Sequence, residues 1–492
     1  MSLINVKNLT FAYEGSHDNI FENVSFLLDT DWRLGLTGRN GRGKTTFLKL
    51  LMGEYLFLGS ISSDVEFEYF PYEVAQKQRL TLDLITAMLP DVEEWEIIRE
   101  LNMLKTANDL LYRPFDTLSN GEQTKVLLAA LFLKHNCFLL IDEPTNHLDM
   151  EARAAVGSYL RQKSGFILVS HDRTLLDCCI DHIISINKSD IDIQKGNFSS
   201  WWQNKVRQDS FEQAENEKLK KNIRQLEQAA KQTASWSDQV EKTKCGTRNS
   251  GLRPDRGYIG HKAQKMMKRS KSLESRQQLA IEEKSKLLKN IETTEKLKIQ
   301  PLEYRAATLV EIEKVTIDYS TRIVCQNVSF SVERGDRIAL CGSNGSGKSS
   351  LLKLILGQDI PYSGNIVRGS GLKISYVGQD ASGLSGSLSE YAKEQKIDES
   401  LFKAILRKLD FSRTQFEKDM CDFSAGQKKK VLLARSLCEQ AHLYIWDEPL
   451  NFIDVYSRMQ IEALLEVYRP TILFVEHDHG FCQLIATKTV QL

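Results

Sequence analysis

Three groups of residues that could do chemistry recur in one order, twice, along the 492 residues. The first is Gly38-Arg39-Asn40-Gly41-Arg42-Gly43-Lys44-Thr45, a G-x-x-x-x-G-K-T run between an apolar stretch, Leu34 to Thr37, and a helix-forming one, Phe47 to Leu51. Glycines at that spacing let backbone N–H groups fold round phosphate oxygens, and the helix that follows offers its N-terminus. Lys44 is then placed for the β- and γ-phosphates of a nucleoside triphosphate, with Thr46 beside it, and Thr45 for Mg²⁺. The second group, Phe138 to Glu143, reads as a buried strand ending in two acids: Asp142 suits the Mg²⁺ shell, Glu143 the polarising of an attacking water. The third, Phe166 to His171, is another buried strand, with His171 at its end to meet the γ-phosphate. Asn146-His147-Leu148-Asp149 reads as a loop between them.

The second set starts 304 positions on. It reads Gly342-Ser343-Asn344-Gly345-Ser346-Gly347-Lys348-Ser349-Ser350, then Asp447-Glu448 at the end of an apolar run, Asn451-Phe452-Ile453-Asp454, and His477 after Phe474-Val475-Glu476. Glu143 and Glu448 are the expected catalytic acids, aided by His171 and His477. Thr45, Asp142, Ser349, Asp447 and Gln379 are the expected Mg²⁺ ligands. Both acids are present, so neither site reads as dead.

These groups need a frame. Apolar runs alternating with helical patterns predict an α/β fold with its chemistry at strand ends. A chain of this length is too long for one ordinary core. The expected division is a first nucleotide-binding domain over 1–200, a linker over 201–305 and a second nucleotide-binding domain over 306–492. No apolar run approaches the length of a membrane span, and MSLINVKNLTF is not a signal peptide. The chain ends at Leu492, soon after the last motif, which predicts no C-terminal extension. The nine cysteines form no CxxC, which argues against zinc and a disulfide framework and fits a reducing cytoplasm.

The linker changes the pattern. Leu219, Ile223, Leu226, Ala230 and Thr233 step by four and three, while Leu273, Ala280 and Leu287 recur every seven. That predicts an antiparallel helical hairpin of about 35 residues per arm, roughly 50 Å long. Gly246, Gly251, Pro254, Gly257 and Gly260 predict a loop at its tip. Net charge is zero overall, yet residues 201–300 hold 23 Lys and Arg against 13 Asp and Glu. The tip, about 241–271, holds ten basic and two acidic residues, interleaved with Leu252, Tyr258, Ile259, Met266 and Met267. Basic groups neutralise phosphates and aromatic groups lie against bases, so RNA is the expected partner, an acidic membrane surface the alternative. Arg253, Arg256, Tyr258, Ile259, His261, Lys262, Lys265, Lys268 and Arg269 are the candidate contacts.

One more motif narrows the class. Leu118-Ser119-Asn120-Gly121-Glu122-Gln123 precedes a helical run, and Phe423-Ser424-Ala425-Gly426-Gln427 repeats it. Both resemble the signature of ATP-binding cassette (ABC) proteins, with Asn120 in place of the usual Gly. The resemblance implies that Ser119, Gly121 and Glu122, and Ser424, Gly426 and Gln427, contact the nucleotide held by the opposite cassette. It implies that Tyr13 and Tyr319 lie against adenine. Gln379 follows its strand as the family expects, whereas Tyr72 takes that place in the first copy.

Two cassettes on one chain, with a helical linker and no membrane span, resemble the ABC-F proteins. The tip, from Asp255 to Lys271, is most similar to the Lsa-type proteins of their antibiotic-resistance branch, and the absence of an extra arm in the first cassette fits that branch. The fold so implied is two tandem ABC-type P-loop domains joined by a long antiparallel α-helical hairpin. The implied function is ATP hydrolysis with Mg²⁺ by a cytoplasmic, monomeric protein whose cassettes pair within the chain. The implied partner is the 70S ribosome: its tRNA exit (E) site, P-site tRNA, and 23S rRNA near the peptidyl-transferase centre. Lincosamides, group A streptogramins and pleuromutilins would be dislodged there. The alternatives are the ATPase subunit of a drug exporter, which has no use for a basic hairpin, and an ABC-F translation factor without resistance activity. A DNA-handling ABC ATPase usually splits one cassette round a coiled coil or carries zinc cysteines, and this chain does neither.

Overall fold

A computed structural model gives the fold. It describes residues 2–14, 19–146, 148–187, 191–242, 256–287, 297–319 and 323–492. Two compact units divide the chain: 1–199 together with 294–492, and 200–293.

The first unit holds both cassettes. In the first cassette six strands lie in the order Glu66–Phe70, Cys137–Asp142, Phe166–Val169, Arg33–Thr37, His182–Ile186, Ile191–Lys195. The first five are parallel and the last antiparallel. Strands buried on both faces need continuous apolar runs, and Phe138, Leu139, Leu140, Ile141 and Phe166 to Val169 are all at most 3% exposed. The strand before the P-loop and the strand carrying Asp142 are not neighbours: Phe166–Val169 runs between them. Their registers, Leu36 against Val169 and Asp142 against Val169, bring the P-loop, the acid pair and His171 to one carboxyl edge. That is the switch point where open α/β sheets hold ligands.

The second cassette repeats this with five parallel strands, Ile374–Val377, Leu443–Asp447, Ile472–Val475, Arg337–Cys341 and Lys488–Gln491. Each cassette also has a three-stranded antiparallel sheet, centred on Leu3–Phe11 in one and Thr308–Asp318 in the other. Trp446, Tyr444 and Phe474 fill the second core with no exposure.

The second unit is helical. Phe198–Lys242 is one helix of 45 residues, longer than expected at roughly 65–70 Å, and Arg256–Leu287 is another of 32. Of the positions expected to form a seam, Leu219, Ile223, Leu226 and Leu273 are half-buried, and the side chains of Ala230, Thr233, Ala280 and Leu287 lie outside the described residues.

Two sequence expectations need correction. Gly257 and Gly260 do not form a turn; they lie in the first turns of Arg256–Leu287. The opening turn of a helix has few intrahelical bonds to lose, which weakens the glycine penalty there. The linker does not run to 305 either. Leu297 and Ile299 are buried in the second cassette's core, and Leu302 N donates to Ala441 O at 2.8 Å. Alternation of buried Leu297 and Ile299 with exposed Lys298 and Gln300 is an extended-strand pattern that the lysine-rich run before it obscures.

Candidate functional site: two composite nucleotide sites

Both P-loops end in a helix whose N-cap glycine is left-handed, Gly43 at φ 88° and Gly347 at φ 92°. A side chain there would pay for that conformation and would also meet Ile20 and Phe21, or Val324. The lysine that follows is turned back onto its own loop. Lys44 Nζ donates to Gly38 O at 2.8 Å, Arg39 O at 3.2 Å and Asn40 Oδ1 at 3.3 Å. Lys348 Nζ donates to Gly342 O and Ser343 O, both at 2.8 Å. Burial lowers the pKa of each; Asp454, Glu143 and Asp142 oppose this at Lys44, and Glu448, Asp149 and Asp447 at Lys348. Asp454 belongs to the second cassette and Asp149 to the first. Each P-loop lysine therefore feels a carboxylate of the other cassette.

Thr45 Oγ1 donates to Asp142 Oδ2 at 2.8 Å, and Tyr69 OH to the same oxygen at 3.1 Å. Burial raises the Asp142 carboxyl, against these two donors. Asp447 is likewise raised by burial, against Ser349. Its Oδ1 has no hydrogen-bond partner among the described residues. A hydroxyl and one carboxylate, with an acceptor oxygen left over, fit a cation that keeps most of its waters and takes the rest of its ligands from phosphates, as Mg²⁺ does. No group of three or more His, Cys, Asp or Glu side chains that could hold a metal alone occurs among the described residues.

The acid that follows is strained in both copies. Glu143 has φ 51° and Glu448 φ 48°, left-handed values that cost a non-glycine residue on the order of 1 kcal/mol and cluster at functional sites. Each backbone N–H donates to the neighbouring strand, Glu143 to Val169 O at 2.9 Å and Glu448 to Val475 O at 3.0 Å. His171 Nε2 is 3.4 Å from Glu143 Oε1, and His477 Nε2 3.6 Å from Glu448 Oε1. Their surroundings differ. Burial, then the Asp142 charge, push Glu143 up to about 8. Glu448 is buried too, but His477 and Gln379 hold it below its ordinary value. Asn451 Nδ2 also donates to Glu448 Oε2 at 2.5 Å.

The signatures lie on the opposite partners. Ser119, Asn120, Gly121 and Glu122 line one cavity of about 750 Å³ together with Ser343, Asn344, Gly345, Lys348, Ser349, Gln379, Glu448 and His477. At the other site Asn40 Nδ2 donates to Phe452 O at 3.0 Å. A Cβ on Gly426 would fall 2.4 Å from that carbonyl and 3.1 Å from Asn40 Nδ2. The structure thus brings Lys348 to the signature of Ser119 and Gly121, and Asn40, four residues before Lys44, to that of Gly426.

Several contacts carry little sequence signal. Ser119 and Ser424 are N-caps closed by capping boxes: Ser119 N donates to Glu122 Oε2 at 2.8 Å, and Ser424 N to Gln427 Oε1 at 2.9 Å. Glu122 and Gln427, expected at the nucleotide, are engaged in fixing the start of the signature helix; the S-x-x-E/Q spacing was the legible clue. Tyr13 OH and Thr46 Oγ1 share a hydrogen bond at 2.8 Å, and Tyr319 OH donates to Ser350 Oγ at 3.0 Å, with both rings about two-fifths exposed at 43% and 42%. Tyr72 does not take Gln379's place. It lines a separate cavity of about 210 Å³ with Leu84, Ile85 and Met88, and Tyr69 reaches Asp142 instead. His147 and Arg253 lie outside the described residues, as do the side chains of Arg256 and Ile259.

A buried ion pair steadies the loop that reaches across. Lys430 Nζ donates to Asp454 Oδ2 at 2.6 Å, with Asp454 fully buried, and Ser457 N and Oγ also donate to that carboxylate, each at 2.9 Å. Burial alone would raise this carboxyl; Lys430, Ser457 and His171 together hold Asp454 far below its ordinary value. Lys430→Met should therefore destabilise the second cassette by about 3–5 kcal/mol, the cost of a buried charge left alone. A denaturant transition within ~1 kcal/mol of the unaltered chain would show the pair to be dispensable.

Comparison with known proteins agrees with this geometry. The ABC transporter family model matches residues 21–146 and 325–451. The ribosome protection protein VmlR of Bacillus subtilis is 28% identical over 96% of this chain and 84% of its own. The ATP-binding protein Uup of Buchnera aphidicola is 28% identical over 99% and 80%. Among solved structures, the archaeal ribosome recycling factor aABCE1, in complex with the ribosomal stalk protein aP1, superposes with a TM-score of 0.63 at 18% identity, over 98% of this chain and 87% of that one, a likeness of fold. No helix among the described residues is long and apolar enough to cross a membrane. With two P-loops, two signatures and each signature turned to the other's P-loop, the chain belongs to the ABC transporter family, as a tandem ATP-hydrolysing protein of the ABC-F type.

Proposed function

We propose that this chain is a ribosome-protection ATPase, which binds the ribosomal E site with two ATPs held between its cassettes and directs the tip of its helical unit toward the peptidyl-transferase centre. The observation that carries the reading is the helical unit between the cassettes, on which His261, Lys262, Lys265, Lys268 and Arg269 are all exposed. Such a face neutralises phosphate, and its binding weakens as salt rises. The similarity to a ribosome protection protein along nearly the whole chain supports it. Lincosamides, group A streptogramins and pleuromutilins are the drug classes it would counter.

In the ATP cycle, Lys44 and Lys348 leave their loop carbonyls for the phosphates. Ser119 and Ser424 close from the opposite cassette with the positive ends of their helices. Thr45 and Asp142 in one site, and Ser349 and Asp447 with Gln379 near in the other, would hold Mg²⁺, which when bound would neutralise charge on the phosphates. Glu143 and Glu448 orient the attacking water and take its proton, while His171 and His477 fix the carboxylates from the next strand.

Co-sedimentation tests the partner. Purified protein with hydrolysis blocked should pellet with 70S ribosomes in ATP and stay in the supernatant in ADP. Equal pelleting in both, or none in either, defeats the reading. A drug panel on cells expressing the chain then separates protection from a translation factor without resistance activity, and unchanged drug accumulation separates it from export.

A further inference from the structure

The two P-loops differ five residues before the lysine, where the first has Arg39 and the second Ser343. Arg39 is only 5% exposed and is turned to the other cassette. Its guanidinium is 3.4 Å from Asp410 Oδ1 and 5.3 Å from the centroid of the Tyr456 ring. Asp410 precedes the signature serine Ser424 by fourteen residues, and Tyr456 follows Asp454 by two.

The same offsets in the first cassette give Lys105, ahead of Ser119, and Glu151, after Asp149. Asp410 has φ 68° and Lys105 φ 51°, so the two occupy the same left-handed corner of the fold. Around the second site the trio is therefore Ser343, Lys105 and Glu151, and all three line the 750 Å³ cavity. The charge pattern is not conserved but inverted: the cation has moved from the P-loop to the facing cassette, and the P-loop offers a hydroxyl. Beside Arg39, Asn40 Nδ2 adds its bond to Phe452 O, a carbonyl presented by a left-handed Phe at φ 63°.

We propose that Arg39 is a latch, a positioning residue that holds the first site shut through Asp410 and Tyr456, while the second site, which lacks the ion pair, opens to exchange nucleotide. A desolvated guanidinium over a ring and beside a carboxylate strengthens both contacts. Ser343, being uncharged, cannot form such an ion pair with the facing cassette. The consequence is an ordered cycle, with exchange at the second site on a first site that stays closed. Nothing in this depends on the ribosome.

The variants that test the ion pair fall on Asp410, away from the P-loop. Asn tolerates left-handed backbone, and lysine is what the equivalent corner of the first cassette already carries, so Asp410→Asn and Asp410→Lys both suit the local fold. The full chain with Glu143→Gln and Glu448→Gln is loaded with a fluorescent ATP analogue and chased with unlabelled ATP. Two release phases are expected, the slow one absent when Lys44→Ala is added. Asp410→Asn should speed the slow phase by roughly fivefold and Asp410→Lys by tenfold or more, with the fast phase unchanged. Ser343→Arg combined with Lys105→Asp should slow the fast phase. A single phase in the starting chain, no response of the slow phase to Asp410→Lys, or equal acceleration of both phases overturns the latch.

Discussion

The Glu143→Gln, Glu448→Gln double variant is expected to bind ATP as the unaltered chain does and to hydrolyse it some 10²- to 10⁴-fold more slowly, the usual worth of a positioned general base. Glutamine keeps the shape of the side chain, and either residue must bear the same left-handed backbone at φ 51° and 48°. The P-loop hydrogen bonds of Lys44 and Lys348 involve neither carboxylate. What is lost is an acceptor able to take a proton from water, 3.4 Å from His171 in one site and 3.6 Å from His477 in the other. Because each signature closes on the opposite P-loop, unhydrolysed ATP should lock the cassettes together, and the locked protein should stay on the ribosome and stop translation. Phosphate release and equilibrium nucleotide binding, measured on one preparation, give the two numbers. Turnover within threefold of the unaltered chain would remove both acids from the catalytic role.

Much of this site was legible because local rules and the global fold agree. The apolar runs Phe138 to Ile141 and Phe166 to Val169 are buried on both faces, and the acids stand where those runs stop. The order of the motifs along the chain pairs Lys44 with Asp142. What the sequence hid is of two kinds. Contacts between cassettes, such as Arg39 with Asp410 and Asn40 with Phe452, join residues hundreds of positions apart and leave no local pattern. Side chains with a ready alternative role were also hidden: Tyr69 sits in an ordinary strand, yet its hydroxyl ends on Asp142. Glu122 reads as a nucleotide contact from its motif and as a capping residue from its distance to Ser119, and the structure displays the cap on a residue that also lines the cavity of Lys348.

Loss of protection with retained binding is the expected result of Tyr258→Ala, and charge alone cannot produce it. If phosphate attraction were the whole of the tip's work, any basic loop would serve. Each Lys-to-Gln change would then lower ribosome affinity, with a shallower salt dependence. Lys262→Gln with Lys265→Gln should do that, reducing affinity and resistance together, since both side chains are exposed. Tyr258 is different. It is 67% exposed in the first turn of Arg256–Leu287, an aromatic ring presented to solvent rather than packed in a core. A ring so placed can lie against a base, a contact worth about 1–3 kcal/mol where it forms. Gly257 and Gly260 flank it without side chains, so nucleotides can approach its faces closely. Being helical rather than turned, the segment presents the ring from the start of a helix. Tyr258→Ala should therefore keep ribosome-stimulated ATP hydrolysis and co-sedimentation within about twofold, while drug susceptibility returns to that of cells lacking the protein. If the ring instead braces the helix start, the same substitution loosens the tip and ribosome binding falls with protection. Both readouts on one Tyr258→Ala protein decide it: joint loss rejects the wedge, and loss of protection alone supports it.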